Sequence, residues 1–173
     1  FGSFIKVGDN LDSIKIFGVR VDNVDLDEAS NRVERFLEQE GLKIIYTPNT
    51  EIVMACKEDE KLRAIVNSGD LIIPDGIGLI HASNIKKKPL KERVTGFDLS
   101  MKILEIANKE GYSLYLLGGK EGVAEKAGRN IEEKYPNINI VGYHHGYFKG
   151  SHIGEKEHPE ELAIIDEIVK KKP

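Results

Sequence analysis

A chain of 173 residues is long enough for one domain with a full core and too short for two ordinary ones. Its apolar (40%) and charged (31%) fractions are those of a globular protein, its net charge of −4 argues against a dedicated nucleic-acid binder, and its apolar runs fall far short of the roughly 18 residues that span a bilayer. The single cysteine, Cys56, excludes an internal disulfide framework and fits a reducing cytosol; in its apolar helical setting it reads as a small buried hydrophobe rather than a nucleophile.

Residues 1–13 read as an N-terminal extension or vector remnant, and residues 14–173 as a single α/β domain. Alternation over Ile14–Val21 predicts a strand. A helix follows, with Asp27 at its N-cap and Ala29, Val33, Phe36 and Leu37 on one face, ending at Gly41. Lys43–Tyr46 is a short strand, then come helical patterns over Thr50–Cys56 and Glu60–Val66. Leu71–Ile73 is a short buried strand, with a helix from Gly76 to about Asn84. Pro89 breaks the chain, and Asp98 is placed to cap a helix through Ala107. Tyr112–Leu117 is a strand running into Gly118-Gly119, Glu121–Lys134 a helix, and Ile138–Val141 a strand. A last helix runs from Pro159 to Lys170, acidic at its start and basic at its end, as the helix dipole prefers. Strand and helix alternate, which predicts an α/β fold: a mostly parallel, Rossmann-like sheet with helices on both faces. The chain stops after a helix where such an alternation would continue with a strand, so the expectation is a domain lacking its C-terminal segment.

Two strand–helix junctions carry the chemistry. In an open α/β sheet ligands bind beyond the carboxyl ends of the strands. Tyr46-Thr47-Pro48-Asn49 puts a hydroxyl and a carboxamide there, groups that both donate and accept and so suit sugar hydroxyls; both also suit capping of the helix that follows. Ile73-Pro74-Asp75-Gly76 puts a carboxylate there, which reads equally as a general base or as a helix N-cap. Gly118-Gly119-Lys120-Glu121-Gly122 offers backbone N–H groups at a helix start, for phosphate or another polar edge of a nucleotide, or is simply a tight turn. Ile85–Arg93 packs five cations into nine residues. Arg93 suits a diphosphate, and Lys86, Lys87, Lys88 and Lys91 suit anionic lipid head groups or a solvated loop. His144 and His145 lack a third ligand at a recognisable spacing, and adjacent strand residues point to opposite faces, so no metal is expected.

Together TPNTEIV (47–53), the stretch from Asn67-Ser68 through PDGIG (74–78), ERVTGFDL (92–99), LLGG (116–119) and HGYF (145–148) resemble the WecG/TagA/CpsF family of bacterial glycosyltransferases, in order and spacing, over most of the chain from about Ile14. The resemblance implies an inverting transfer of N-acetylmannosamine, or a related sugar, from a UDP donor to undecaprenyl-diphosphate-linked N-acetylglucosamine in wall teichoic acid or surface polysaccharide synthesis. It implies Asp75 as base, Thr47, Asn49, Arg93, Gly118 and Gly119 as substrate-binding residues, no metal and no cofactor beyond the UDP-sugar substrate. It also implies a cytoplasmic enzyme, peripheral at the inner face of the membrane. Self-association is expected, because a sheet lacking its C-terminal part and peripheral attachment both leave apolar surface to cover. Family members continue beyond the position of Pro173 into a strand, a glycine–proline–lysine–glutamine–glutamate segment and a basic, apolar tail. Two other classes share parts of the pattern. A Rossmann-type oxidoreductase predicts an acid about 20 residues beyond the glycines, where Asn137–Val141 offers none. A non-catalytic module would bind wall-polymer intermediates without turnover.

Overall fold

The computed structural model describes residues 12–151, 154 and 157–173. Its elements are β1 (Ser13–Ile16), β2 (Val19–Asp22), α1 (Leu26–Leu37), β3 (Ile45–Tyr46), α2 (Thr50–Glu58), α3 (Glu60–Asn67), β4 (Leu71–Ile72), α4 (Ile77–Ile85), α5 (Gly96–Glu110), β5 (Ser113–Leu117), α6 (Val123–Lys134), β6 (Asn139–His144) and α7 (Pro159–Lys171). The fold is mixed α/β. Its strands pair as an antiparallel β1–β2 hairpin and two short parallel pairs, β3–β4 and β5–β6. The chain divides into two compact units, one running to Ile103 and the other from Leu104.

In the first unit β4 is the centre. Its residues alternate between two apolar clusters: Ile72 packs with Val53, Cys56, Val66 and Leu79 from α2, α3 and α4, whereas Leu71 and Ile73 pack with Ala29, Val33, Phe36 and Leu99 from α1 and α5. A strand buried on both faces reads as a continuous apolar run, as Leu71-Ile72-Ile73 does. β2 lies beside it. There Asp22, 3% exposed, accepts the Ile72 N–H at 2.8 Å and meets Arg20 Nε at 3.2 Å. Desolvation pushes the Asp22 pKa up, more strongly than that N–H and the guanidinium groups of Arg20 and Arg32 pull it down. Cys56 is fully buried and its thiol is pushed up by burial, in keeping with a packing role.

Three local expectations need correction. The expected strand Ile14–Val21 is a hairpin, because Phe17 (φ 49°) and Gly18 (φ 84°) make a two-residue turn that pairs Ile16 with Val19. The α1 cap is Asp25, not Asp27. Its carboxylate accepts from the Glu28 N–H at 2.8 Å and Glu28 returns the contact to the Asp25 N–H, while Leu37 lies exposed at the helix end. Asp98 does not start α5 either: Thr95 Oγ1 accepts the Asp98 N–H at 3.0 Å and donates to its carboxylate at 2.6 Å, so the helix begins at Gly96.

In the second unit β5 and β6 are longer and half-buried. Gly142 permits their pairing, since a Cβ there would lie 2.5 Å from the Tyr115 ring. α6 presses Gly128 onto Ile140 and Leu116, and α7 buries Ile164.

Candidate active site

The parallel register of β3 and β4, Ile45 with Leu71 and Tyr46 with Ile72, is extended by an Ile73 N–H to Tyr46 carbonyl bond of 3.0 Å. It delivers the two predicted junctions side by side. Pro48 and Pro74 are both fully buried and anchor their loops. At the second junction Asp75 is half-buried. Its Oδ2 accepts the N–H of Gly96 at 2.9 Å, the first residue of α5. A helix N-terminus suits a negative charge. Oδ1 has no hydrogen-bond partner among the described residues.

Thr47 reaches the same point. A Cβ built on Gly96 would lie 3.2 Å from both Oγ1 and Cγ2 of Thr47 and 3.3 Å from Asp75 Oδ2. Hydroxyl, carboxylate and backbone amide therefore meet around one glycine, although they come from residues 47, 75 and 96. The starts of α2 and α4 are also in contact. A Cβ on Gly76 would lie 3.5 Å from Asn49 Cα, and one on Gly78 would collide with Thr50 Oγ1. Small residues here let the starts of α2 and α4 pack together beside the carboxylate's loop, while the start of α5 meets the carboxylate itself.

Asn49 caps α2, its Oδ1 accepting the Ile52 N–H at 3.0 Å. Its amide nitrogen keeps two donors with no partner among the described residues. Asp75 does not cap α4. The N-cap there is Gly76, which makes no side-chain capping bond, so the first-turn amides of α4 lack that partner. Arg93 is exposed, two residues before Thr95, without an ion pair among the described residues; buried Val94 fixes the segment beside it. Its distance from Asp75 is not fixed by any shared contact.

Sequence reasoning missed Gly96, the residue that orients Asp75. Its φ lies outside the left-handed region, so the need for glycine comes from close approach alone, and only the Thr-Gly pair ahead of a helical pattern signals it.

The second unit has its own loop at the carboxyl ends of β5 and β6. Gly118 (φ 144°), Gly119 (φ 70°) and Gly122 (φ 77°) take conformations that favour glycine, and Gly122 begins α6 without a side-chain cap. The Gly118 N–H is spent on the His144 carbonyl at 2.9 Å, while space is open where its Cβ would be. The Gly119 carbonyl accepts from Gly146 at 2.8 Å, and the Gly119 N–H has no partner among the described residues. Next to this loop lies a cleft of about 520 Å³ lined by Lys120, Glu121, His145, Tyr147 and Glu160. The two adjacent histidines do not diverge as expected. β6 ends at His144, so the chain turns and the rings lie 4.3 Å apart, His144 Nδ1 being 2.8 Å from the His145 carbonyl and His145 Nδ1 accepting the Tyr147 N–H.

A half-buried carboxylate with one oxygen held and the other open, beside a hydroxyl, is a site suited to taking a proton from a hydroxyl substrate. Residues 14–173 match the model of the glycosyl transferase WecG/TagA/CpsF family, and the chain belongs to that family. Its similar proteins include an N-acetylglucosaminyldiphosphoundecaprenol N-acetyl-beta-D-mannosaminyltransferase of Bacillus subtilis (strain 168), 33% identical over 66% of this chain and 44% of the relative. The protein of the same name from Staphylococcus aureus (strain NCTC 8325 / PS 47) is 31% identical over 80% of this chain and 55% of the relative. The chain thus spans about half the length of these curated relatives.

Proposed function

We propose that this chain is the catalytic core of an inverting glycosyltransferase that moves N-acetylmannosamine, or a related sugar, from a UDP donor to an undecaprenyl-diphosphate-linked N-acetylglucosamine acceptor. The observation that carries the reading is the Asp75 carboxylate, tied through Oδ2 to the Gly96 N–H with Oδ1 open and Thr47 alongside. The relatives' names, an N-acetyl-beta-D-mannosaminyltransferase acting on N-acetylglucosaminyldiphosphoundecaprenol, support this choice of sugar and lipid-linked acceptor. In this reading the fold is Rossmann-like, and the short parallel pairs are its local pieces.

The step is a single displacement. Asp75 Oδ1 takes the proton of the acceptor hydroxyl as its oxygen bonds to the anomeric carbon. The bond from that carbon to the diphosphate oxygen breaks on the opposite face, inverting the centre and releasing UDP. Thr47 Oγ1 and the amide nitrogen of Asn49 hold sugar hydroxyls. Arg93 answers the growing charge on the diphosphate. In the second unit, taken by itself, the Gly119 amide and the open flank of Gly118 suit polar groups of a nucleotide. Because the acceptor is lipid-linked, the enzyme works at the membrane surface; among the described residues no helix is long and apolar enough to cross it.

The test is a donor panel on a chain spanning the full length of the relatives, scoring UDP release from several UDP-sugars with a short-chain lipid-diphosphate acceptor. Acceptor-dependent release from UDP-N-acetylmannosamine is expected. Binding of donor or acceptor with no release from any UDP-sugar would leave a binding module instead.

A further inference from the structure

The first unit also carries a cleft of about 530 Å³ lined by Ser13, Ile14, Lys15, Lys86 and Lys88. Two elements supply its three cations. Lys15 is exposed on β1 between buried Ile14 and Ile16, and Lys86 and Lys88 stand on the turn that ends α4. That turn is firmly built. The Lys86 N–H donates to the Ala82 carbonyl at 3.0 Å and the Lys88 N–H to the Ser83 carbonyl at 3.1 Å. Ser83, wholly buried, donates its hydroxyl to the Ile80 carbonyl at 2.7 Å and accepts the N–H of buried Leu90 at 3.0 Å. The lysines therefore project from a scaffold already set by main-chain bonds.

Their charge is unanswered. Lys91 on the same segment pairs with Glu28, Lys57 with Glu58 and Arg63 with Glu60, but Lys15, Lys86 and Lys88 have no acidic partner among the described residues. The neighbouring acid, Asp12, is engaged by Asn23 Nδ2 at 3.1 Å. Three like charges around one cleft repel each other until an anion enters, and ammonium groups are compact donors to phosphate oxygens. Directly ahead of the lysines stands Ile85, 82% exposed. An apolar side chain beside unpaired cations is the combination that seats a protein at a lipid interface. Since the whole chain carries −4, attraction to an anionic surface must be local, and it would orient the molecule.

We propose that the Lys15–Lys86–Lys88 cleft binds the phosphate of an anionic phospholipid headgroup, with Ile85 entering the interface beside it. This does not depend on glycosyl transfer: it stands or falls on the first unit's own surface. The test uses the 173-residue chain in flotation with vesicles rich in phosphatidylglycerol and with neutral phosphatidylcholine vesicles. Binding to the anionic vesicles alone is expected, weakening with salt. Each lysine near a charged leaflet contributes roughly fivefold, so K86Q/K88Q should lower partitioning about 30-fold and K15Q about fivefold. K61Q, on α3 away from the cleft, should change nothing, and thermal unfolding of each variant separates lost binding from lost fold. Because K15Q sits on a different element, it decides the matter if the double variant unfolds. Equal binding to neutral vesicles, no binding to anionic ones, or anionic binding that survives both lysine variants overturns the proposal. Saturable binding of inorganic phosphate without vesicle binding overturns the headgroup assignment and leaves a free-anion site.

Discussion

The two parallel strand pairs solve the same problem in opposite ways. Each ends at a loop that starts a helix, where an α/β protein keeps its ligand. β3 and β4 are two residues long, yet β4 is buried on both faces, and the loops leaving this pair carry side-chain chemistry: Thr47, Asn49 and Asp75. β5 and β6 are five and six residues long and only half-buried, and the loop leaving β5 carries mostly glycine backbone. A deeply buried strand can hold a carboxylate in one place because a third element, α5, supplies a hydrogen bond to it. A glycine loop offers amides and room, which suits the polar edge of a nucleotide better than a proton transfer.

The largest effect that would test this division is at Asp75. Asp75→Asn keeps an oxygen for the Gly96 N–H and so keeps the fold, but it removes the proposed base. In a chain spanning the length of the relatives, turnover should fall about 10²–10⁴-fold, with binding of UDP unchanged in calorimetry. Near-normal turnover would take Asp75 out of the base role and leave the first pair of junctions as scaffolding.

Next in size is the support beneath them. Asp22→Ala strips the buried Ile72 N–H of its acceptor and leaves Arg20 with only the Gly69 carbonyl for its guanidinium, so unfolding in denaturant should show a loss of about 3 kcal/mol. Asp22→Asn can still accept that N–H and should cost less. The two substitutions also separate the charge from the hydrogen bond. With its pKa raised in the folded state, Asp22 binds a proton more tightly when folded than when unfolded. The stability contributed by that proton is complete below the ordinary aspartate value and is lost as pH rises through the raised one. That falling limb should be present in the parent protein and absent in Asp22→Asn. An identical pH profile in both would place the charge outside the energetics of β2 and β4.

Much of this was legible in the residues. The junctions showed themselves because a short apolar run followed by Thr-Pro-Asn or Pro-Asp-Gly can be read locally, and Leu71-Ile72-Ile73 announced a strand with both faces covered. What stayed hidden depends on pairs distant in the chain or on turn chemistry with an unusual residue. The hydrogen bond between Asp75 and Gly96 joins positions 21 apart, and no helical or strand period reports it. Phe17-Gly18 makes the kind of turn that Asn-Gly usually signals, so the β1–β2 hairpin looked like one strand. Asp25, Asp27 and Asp98 are all competent caps in isolation. Which acid takes the role is decided by where the first turn closes, and at α5 a threonine took it instead.

The glycine loop can be probed by giving it side chains. Gly119→Ala combines a left-handed backbone with a Cβ 2.9 Å from Val123 Cγ1, so a loss of about 1–3 kcal/mol in denaturant unfolding is expected. Gly118→Ala meets no atom within 4 Å but still carries φ 144°, so it should cost less fold and more ligand: its methyl group fills the space proposed for polar groups of a nucleotide. If both variants bind UDP like the parent, the second loop is a tight turn and no more, and the contrast between the two strand pairs loses its functional half.

The smallest expected effect is also the one that separates two roles of a single residue. Asn49 caps α2 with its oxygen, and its amide nitrogen has no partner among the described residues. Asn49→Ala should cost about 1 kcal/mol of stability through the lost cap. Asn49→Asp retains a capping oxygen beside Glu51 in the first turn, so thermal unfolding should stay close to the parent. It replaces the two N–H donors, however, with an acceptor and a negative charge. A drop in turnover in Asn49→Asp at unchanged stability therefore assigns the amide to a sugar hydroxyl, whereas turnover that follows stability through both variants reduces Asn49 to the start of a helix and leaves Thr47 and Asp75 to hold the substrate.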